Sequence, residues 1–110
     1  MSHDDFNALL EKRLKSIQEV LASKAVEYST VDRLHNFKRA ALLRGTLASD
    51  TLAGMMVKHW VSIEDLVRGH KAGLRHPDHV IDEKLGDAIN YLILLEAVLK
   101  EPPLRGEPTP

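Results

Sequence analysis

From Ala88 to Leu99 the chain reads AINYLILLEAVL, and only Asn90 and Glu96 in it are plainly polar. A helix that is apolar around most of its circumference has to be covered on more than one side, so this segment predicts a helix buried among other helices. Just before it, Asp87 stands three residues from Asn90, which puts both on one side of that helix. A carboxylate in such surroundings must be paired, protonated or bound to a cation, because an isolated buried charge costs several kcal/mol or more. The segment Asp82 to Leu99 is therefore the first candidate for a site.

The rest of the chain is helical in pattern. Leu10, Leu14, Ile17, Leu21 and Tyr28 recur at spacings of three, four or seven, which predicts a helix from about Asp5 to Tyr28, roughly 36 Å long. Ser29 to Asn36 is polar and reads as a connection, and Phe37 to Arg44 reads as a short helix closed by Gly45. Ser49 or Asp50 is placed to cap a third helix that runs to about His70. Lys71 to Pro77 contains Gly73 and is a break, and Asp78 starts the final helix, which ends before Pro102 and Pro103. No strand-like alternation and no internal repeat is present. The expected fold is all-α, an antiparallel bundle of about four helices over residues 1–101, with a mobile Pro-rich tail over residues 102–110.

At 110 residues the chain is long enough for one domain to bury about two thirds of its unfolded surface. It has no cysteine, which excludes disulfides and thiolate metal sites. Fifteen Lys and Arg against 16 Asp and Glu give a net charge of −1, with no footprint for direct nucleic-acid or membrane binding. The opening residues do not read as a leader, and no run approaches the roughly 18 uncharged residues of a membrane span. The expectation is a soluble cytoplasmic protein.

The third helix carries a polar seam of its own. Wheel positions put Met56, Trp60, Ile63 and Val67 on one side, and Lys58, Ser62 and Asp65 in a narrow stripe on the other, flanked by Val57 and Val61. The ordinary reading of such a stripe is a solvated face. Against it stands the pairing of two helices that each carry an aspartate in a polar seam, since two such seams facing each other would make a pocket. Lys24 and Glu27 flank the apolar stripe near the end of the first helix, where the ordinary reading is again a surface pair, and the functional one brings Glu27 to Asp65 and Asp87. Carboxylates and water are the ligands magnesium prefers, and magnesium accompanies a triphosphate. Three carboxylates from three helices, with Lys58 or Lys38 for phosphate, would form such a site. Zinc is poorly supported, because Pro77 separates His76 from His79 and no third ligand follows at motif spacing. His59 and His70 fall on the apolar side, where a satisfied core or interface histidine is the common case.

The series KAVEYSTVDRLHNFKRAA, then GMMVKHWVSIEDL, then EKLGDAINYLILLEAVL, spanning Lys24 to Leu99, resembles a family of small phage and prophage proteins associated with nucleotide modification. That family in turn resembles the all-α MazG-like nucleoside triphosphate pyrophosphohydrolases. In those enzymes a Glu-x-x-Glu pair on one helix and a Glu-x-x-Asp pair on the next hold magnesium, in bundles that form dimers or tetramers. Here the pairs fall on Ser62 with Asp65 and on Lys84 with Asp87, so only the second member of each is acidic, and Glu83 stands one turn before Asp87.

The resemblance implies magnesium-dependent hydrolysis of a nucleoside triphosphate, a deoxynucleoside triphosphate above all, to monophosphate and pyrophosphate. It implies Glu27, Asp65 and Asp87 as metal ligands and Glu83 as a further ligand or base. Lys24, Lys38 and Lys58 fall to the substrate, Asn36 and Asn90 to the sugar or base, and Tyr28 to stacking on the base. It implies a homodimer or homotetramer, in the host cytoplasm if phage-encoded. The alternative is a non-catalytic helical module of phage origin that binds a nucleotide or a protein, because the apolar excess of the last helix with Val57, Trp60 and Val61 exceeds what a lone four-helix domain covers.

Overall fold

The computed structural model describes residues 1–28 and 32–103, and the side chains of residues 25–28 lie outside that description. Four helices follow in order, α1 (His3–Tyr28), α2 (His35–Arg44), α3 (Ala48–Lys71) and α4 (Asp78–Lys100). The described residues are 82% helical with no strand, so the all-α expectation holds. Among them no helix is long and apolar enough to cross a membrane. The chain divides into two units, Met1–Val31, which holds α1, and Asp32–Pro110, which holds the other three helices. Residues 104–110 of the Pro-rich tail lie outside the described residues.

Alpha-1 begins where Ser2 Oγ accepts the Asp5 amide at 3.0 Å, and Asp4 and Asp5 place acid in its first turn. Both devices suit a helix N-terminus, whose first amides lack internal partners and whose dipole favours negative charge. Of the apolar stripe read from the sequence, Leu10 and Leu14 are exposed, Ile17 and Leu21 are half-buried, and the Tyr28 side chain lies outside the described residues.

In the second unit the C-terminal ends of α2 and α3 are set by glycine. Gly45, at φ 66°, closes α2, with its amide on the Leu42 carbonyl and the Thr46 amide on the Ala41 carbonyl. Gly73, at φ 88°, does the same for α3, with the Leu74 amide 2.9 Å from the Gly69 carbonyl. This pairing consumes helix-end carbonyls and requires the left-handed region, where a side chain costs about 1–2 kcal/mol. Gly73→Ala is therefore expected to lower the unfolding free energy by about 1–2 kcal/mol, read as a lower urea midpoint at unchanged m-value. The α3 terminus has a further tie, since His76 Nε2 lies 3.0 Å from the Leu66 carbonyl. Gly69 makes that possible, because a Cβ there would stand 2.7 Å from His76 Nε2.

Two helix starts differ from expectation. Alpha-2 begins two residues early, at His35, because Asp32 Oδ1 accepts the Leu34 amide at 2.9 Å and turns the chain into the helix. The residue before α3 is Leu47, with no side-chain cap, so Ser49 and Asp50 sit inside the first turn. Thr46 and Thr51 instead bridge that start through their hydroxyls at 3.1 Å.

Alpha-3 packs against both α2 and α4. Its buried stripe is Leu52, Met56, His59 and Leu66, meeting Leu34 and Ala41 of the α2 region and Ala88 and Val98 of α4 in one core. The stripe is rotated from the expected one, because Trp60 and Val67 are exposed. Apolar residues occupy more than one side of α3, so periodicity alone did not select the side that packs. A similar correction applies to α4. It turns the small residues Gly86 and Ala88 inward, while Leu92, Ile93 and Leu99 remain exposed. Asp87 lies between the two buried small residues in sequence and is exposed, so the expectation of a buried carboxylate is overturned.

Candidate functional site

The expected site residues separate into three groups. Glu27 and Tyr28 have side chains outside the described residues, and Lys24 is an exposed residue of α1. Asp65 and Lys58 of α3 and Glu83 and Asp87 of α4 are all exposed, on two helices that pack directly against each other. No ion pair with a described residue engages Asp65 or Asp87. Among the described residues no three His, Asp or Glu side chains are grouped as a metal ion needs. Asn36 is exposed on the first turn of α2.

Lys38 has a different position from the one expected for a phosphate partner. Its ammonium binds Asp32 Oδ2 and, at 2.8 Å, Glu101 Oε2. One lysine thus ties the start of α2 to the residue that ends α4. The hydrogen bond from Lys38, and then the one from the Leu34 amide, hold the Asp32 carboxyl below its ordinary 3.8. The two carboxylates hold the Lys38 ammonium above its ordinary 10.5. A depressed carboxyl stabilises the fold above its unfolded value, and that contribution is lost as pH falls below about 3.8. A raised ammonium stabilises up to its unfolded value, and that contribution is lost as pH rises above about 10.5. Lys38→Met is expected to lower stability between those limits and to flatten its fall at both ends, measured as the thermal midpoint from pH 2 to 11.5.

Between the helices of the second unit lies a seam of rings that the sequence alone does not predict. His59 is only 9% exposed, and its ring packs on Tyr91 with centroids 4.6 Å apart. Phe37 of α2 meets the same tyrosine edge-on at 6.4 Å. Three helices therefore contribute to one ring cluster, in which Phe37 and Tyr91 are half-buried. His59 Nε2 and, elsewhere on α4, Asn90 Oδ1 are buried with no hydrogen-bond partner among the described residues. Such atoms cost about 1–3 kcal/mol each when left unsatisfied, and native proteins keep few of them. His59 is thus buried with Nε2 unpartnered among the described residues, and His70 is exposed rather than part of the core. The signal for His59 is tertiary: its position on the α3 stripe predicts burial, while the missing partner depends on what α4 presents.

An open depression lined by Arg75, His76, Pro77, Asp78 and His79 lies at the start of α4. Its helix end is some 18 Å along α4 from Asn90, at about 1.5 Å per residue, so it is separate from the seam.

No family model, no curated protein and no solved structure matches this chain.

Proposed function

We propose that the chain binds a nucleoside triphosphate with magnesium and hydrolyses it to monophosphate and pyrophosphate, in the manner of the MazG-like enzymes its sequence resembles. Deoxynucleoside triphosphates are the first substrates to examine. The observation that carries the reading is the pair Asp65 and Asp87, exposed on adjacent helices and free of ion pairs with the described residues. Magnesium is held in nucleotide enzymes by one or two carboxylates together with phosphate oxygens and water, and acids on two adjacent helices are donors of that kind. Bound there, the ion would supply charge neutralisation of the phosphates and a more acidic water.

The chain's own residues have separate tasks in this reading. Lys58, one heptad before Asp65 on the same side of α3, offsets phosphate charge, while Lys38 stays with its two carboxylates. Glu83, one turn before Asp87, takes the proton from the attacking water. Asn36 is the further polar group for the sugar. Incubating the protein with magnesium and each common ribo- and deoxyribonucleoside triphosphate, then detecting pyrophosphate, tests the reading. Turnover of at least one supports it, and turnover of none rejects it.

A second reading has its own observation. Val57, Trp60 and Val61 on α3 and Leu92 and Ile93 on α4 are between 38% and 57% exposed. Aliphatic and indole surface of this kind marks a contact face, which fits a homodimer or homotetramer and also a non-catalytic helical binding module. Light scattering that returns a monomer mass would remove the assembly from both.

A further inference from the structure

We propose that α3 lies antiparallel on α3 of a second copy of the chain, in a two-fold dimer whose register is set by charges at the two ends of the helix. The inference rests on the contact-face reading above, not on hydrolysis, and names the occupant of that face. Asp50, Gly54, Val57, Val61, Glu64 and Arg68 follow one another at alternating spacings of four and three, so they form one line along α3, and all six are exposed. Trp60 and Val67 stand beside that line and are exposed as well. The stripe that enters the core, Leu52, Met56, His59 and Leu66, is on the opposite side of the helix, so the core makes no use of this line.

The charges along the line select both the occupant and its direction. Acid opens it at Asp50, base closes it at Arg68, and valines lie between. A parallel copy sets Asp50 on the partner's Asp50 and Arg68 on the partner's Arg68, and like charges in contact cost affinity. An antiparallel copy, with the two-fold axis midway between Val57 and Val61, sets Asp50 against the partner's Arg68, Gly54 against the partner's Glu64 and Val57 against the partner's Val61. The axis repeats each pair, so one line is complementary to itself. The glutamate also meets a cation, because Arg44 Nη1 stands 3.8 Å from where a Gly54 Cβ would be. Neither Asp50 nor Arg44 makes an ion pair with a described residue, and Arg68 holds Glu64 one turn away on the exposed surface at 2.6 Å. In this register Trp60 falls beside the partner's Trp60 at the axis, and a tryptophan near the centre of an interface is where binding energy concentrates. Lys58 and Asp65 run along the other edge of the line, at the margin of the pairing.

Trp60 is the chain's one tryptophan, so its emission reports cover on this face. Light scattering of the full chain from about 1 to 500 µM is expected to show the mass rise to twice 12.3 kDa, with Trp60 emission moving to shorter wavelength at the same midpoint. Arg68→Asp and Asp50→Arg each bring like charges together and are expected to raise the dissociation constant at least about tenfold, and the double variant is expected to restore it to within about threefold. Val57→Arg is expected to leave a monomer with the helix content of the parent by circular dichroism. A dimer whose affinity the double variant fails to restore, or that Val57→Arg leaves intact, would keep the assembly and overturn the α3 pairing. A monomer at every concentration would overturn the pairing and the assembly together, and short-wavelength Trp60 emission in that monomer would mean that another segment of the same chain covers the face.

Discussion

Asp87→Asn is expected to slow pyrophosphate release at least about 100-fold, a loss of about 2.7 kcal/mol of transition-state stabilisation. The substitution keeps the shape of the side chain and removes only the charge, so it isolates what the carboxylate does. Asp87 is exposed and makes no ion pair with a described residue, which leaves the fold little to lose. Substitutions away from core, caps and buried networks usually change stability by less than about 0.5 kcal/mol. A large loss of rate at an unchanged urea midpoint is thus the expected signature. An unchanged rate would remove Asp87 from the chemistry, and a collapsed midpoint would show a structural task for it.

Leu52→Ala is expected to have the largest effect on stability, about 2–5 kcal/mol. Leu52 is wholly buried at the start of α3, beside Thr51, which is buried as well. Truncation removes one methine and two methyl carbons from a site whose neighbours sit on helices and relax only partly, so a cavity term adds to the lost transfer energy. Small domains hold about 5–15 kcal/mol in total, so the variant stands close to unfolding at 37 °C. Urea denaturation at 25 °C checks this, and a loss below about 1 kcal/mol would mean that α3 does not form the centre of the core.

Helix ends were legible where one residue dictates the backbone. Gly45 and Gly73 require the left-handed region and Pro77 cannot continue a helix, and all three mark the ends found. Sidedness was legible only in part. Alpha-3 carries apolar residues on several sides, and which of them packs was decided by what α2 and α4 bring to it, leaving Trp60 exposed and His59 inside. Alpha-4 looked uniformly apolar, yet it turns Gly86 and Ala88 inward, and that choice carries Asp87 to the surface. The Lys38 clamp was hidden for a different reason, because its second carboxylate, Glu101, is far away in sequence. Of the site, the candidate acids on α3 and α4 could be named from spacing. The unsatisfied His59 and Asn90 atoms could not, since the lack of a partner is a property of packed neighbours.

The central claim, hydrolysis between the α- and β-phosphates, is tested most directly by following a turned-over triphosphate in 18O-labelled water by 31P NMR. Monophosphate and pyrophosphate in equal amounts, with the heavy oxygen on the monophosphate, is the predicted result. Triphosphate that persists unchanged in the presence of magnesium and protein, or label that appears in the pyrophosphate, would contradict it.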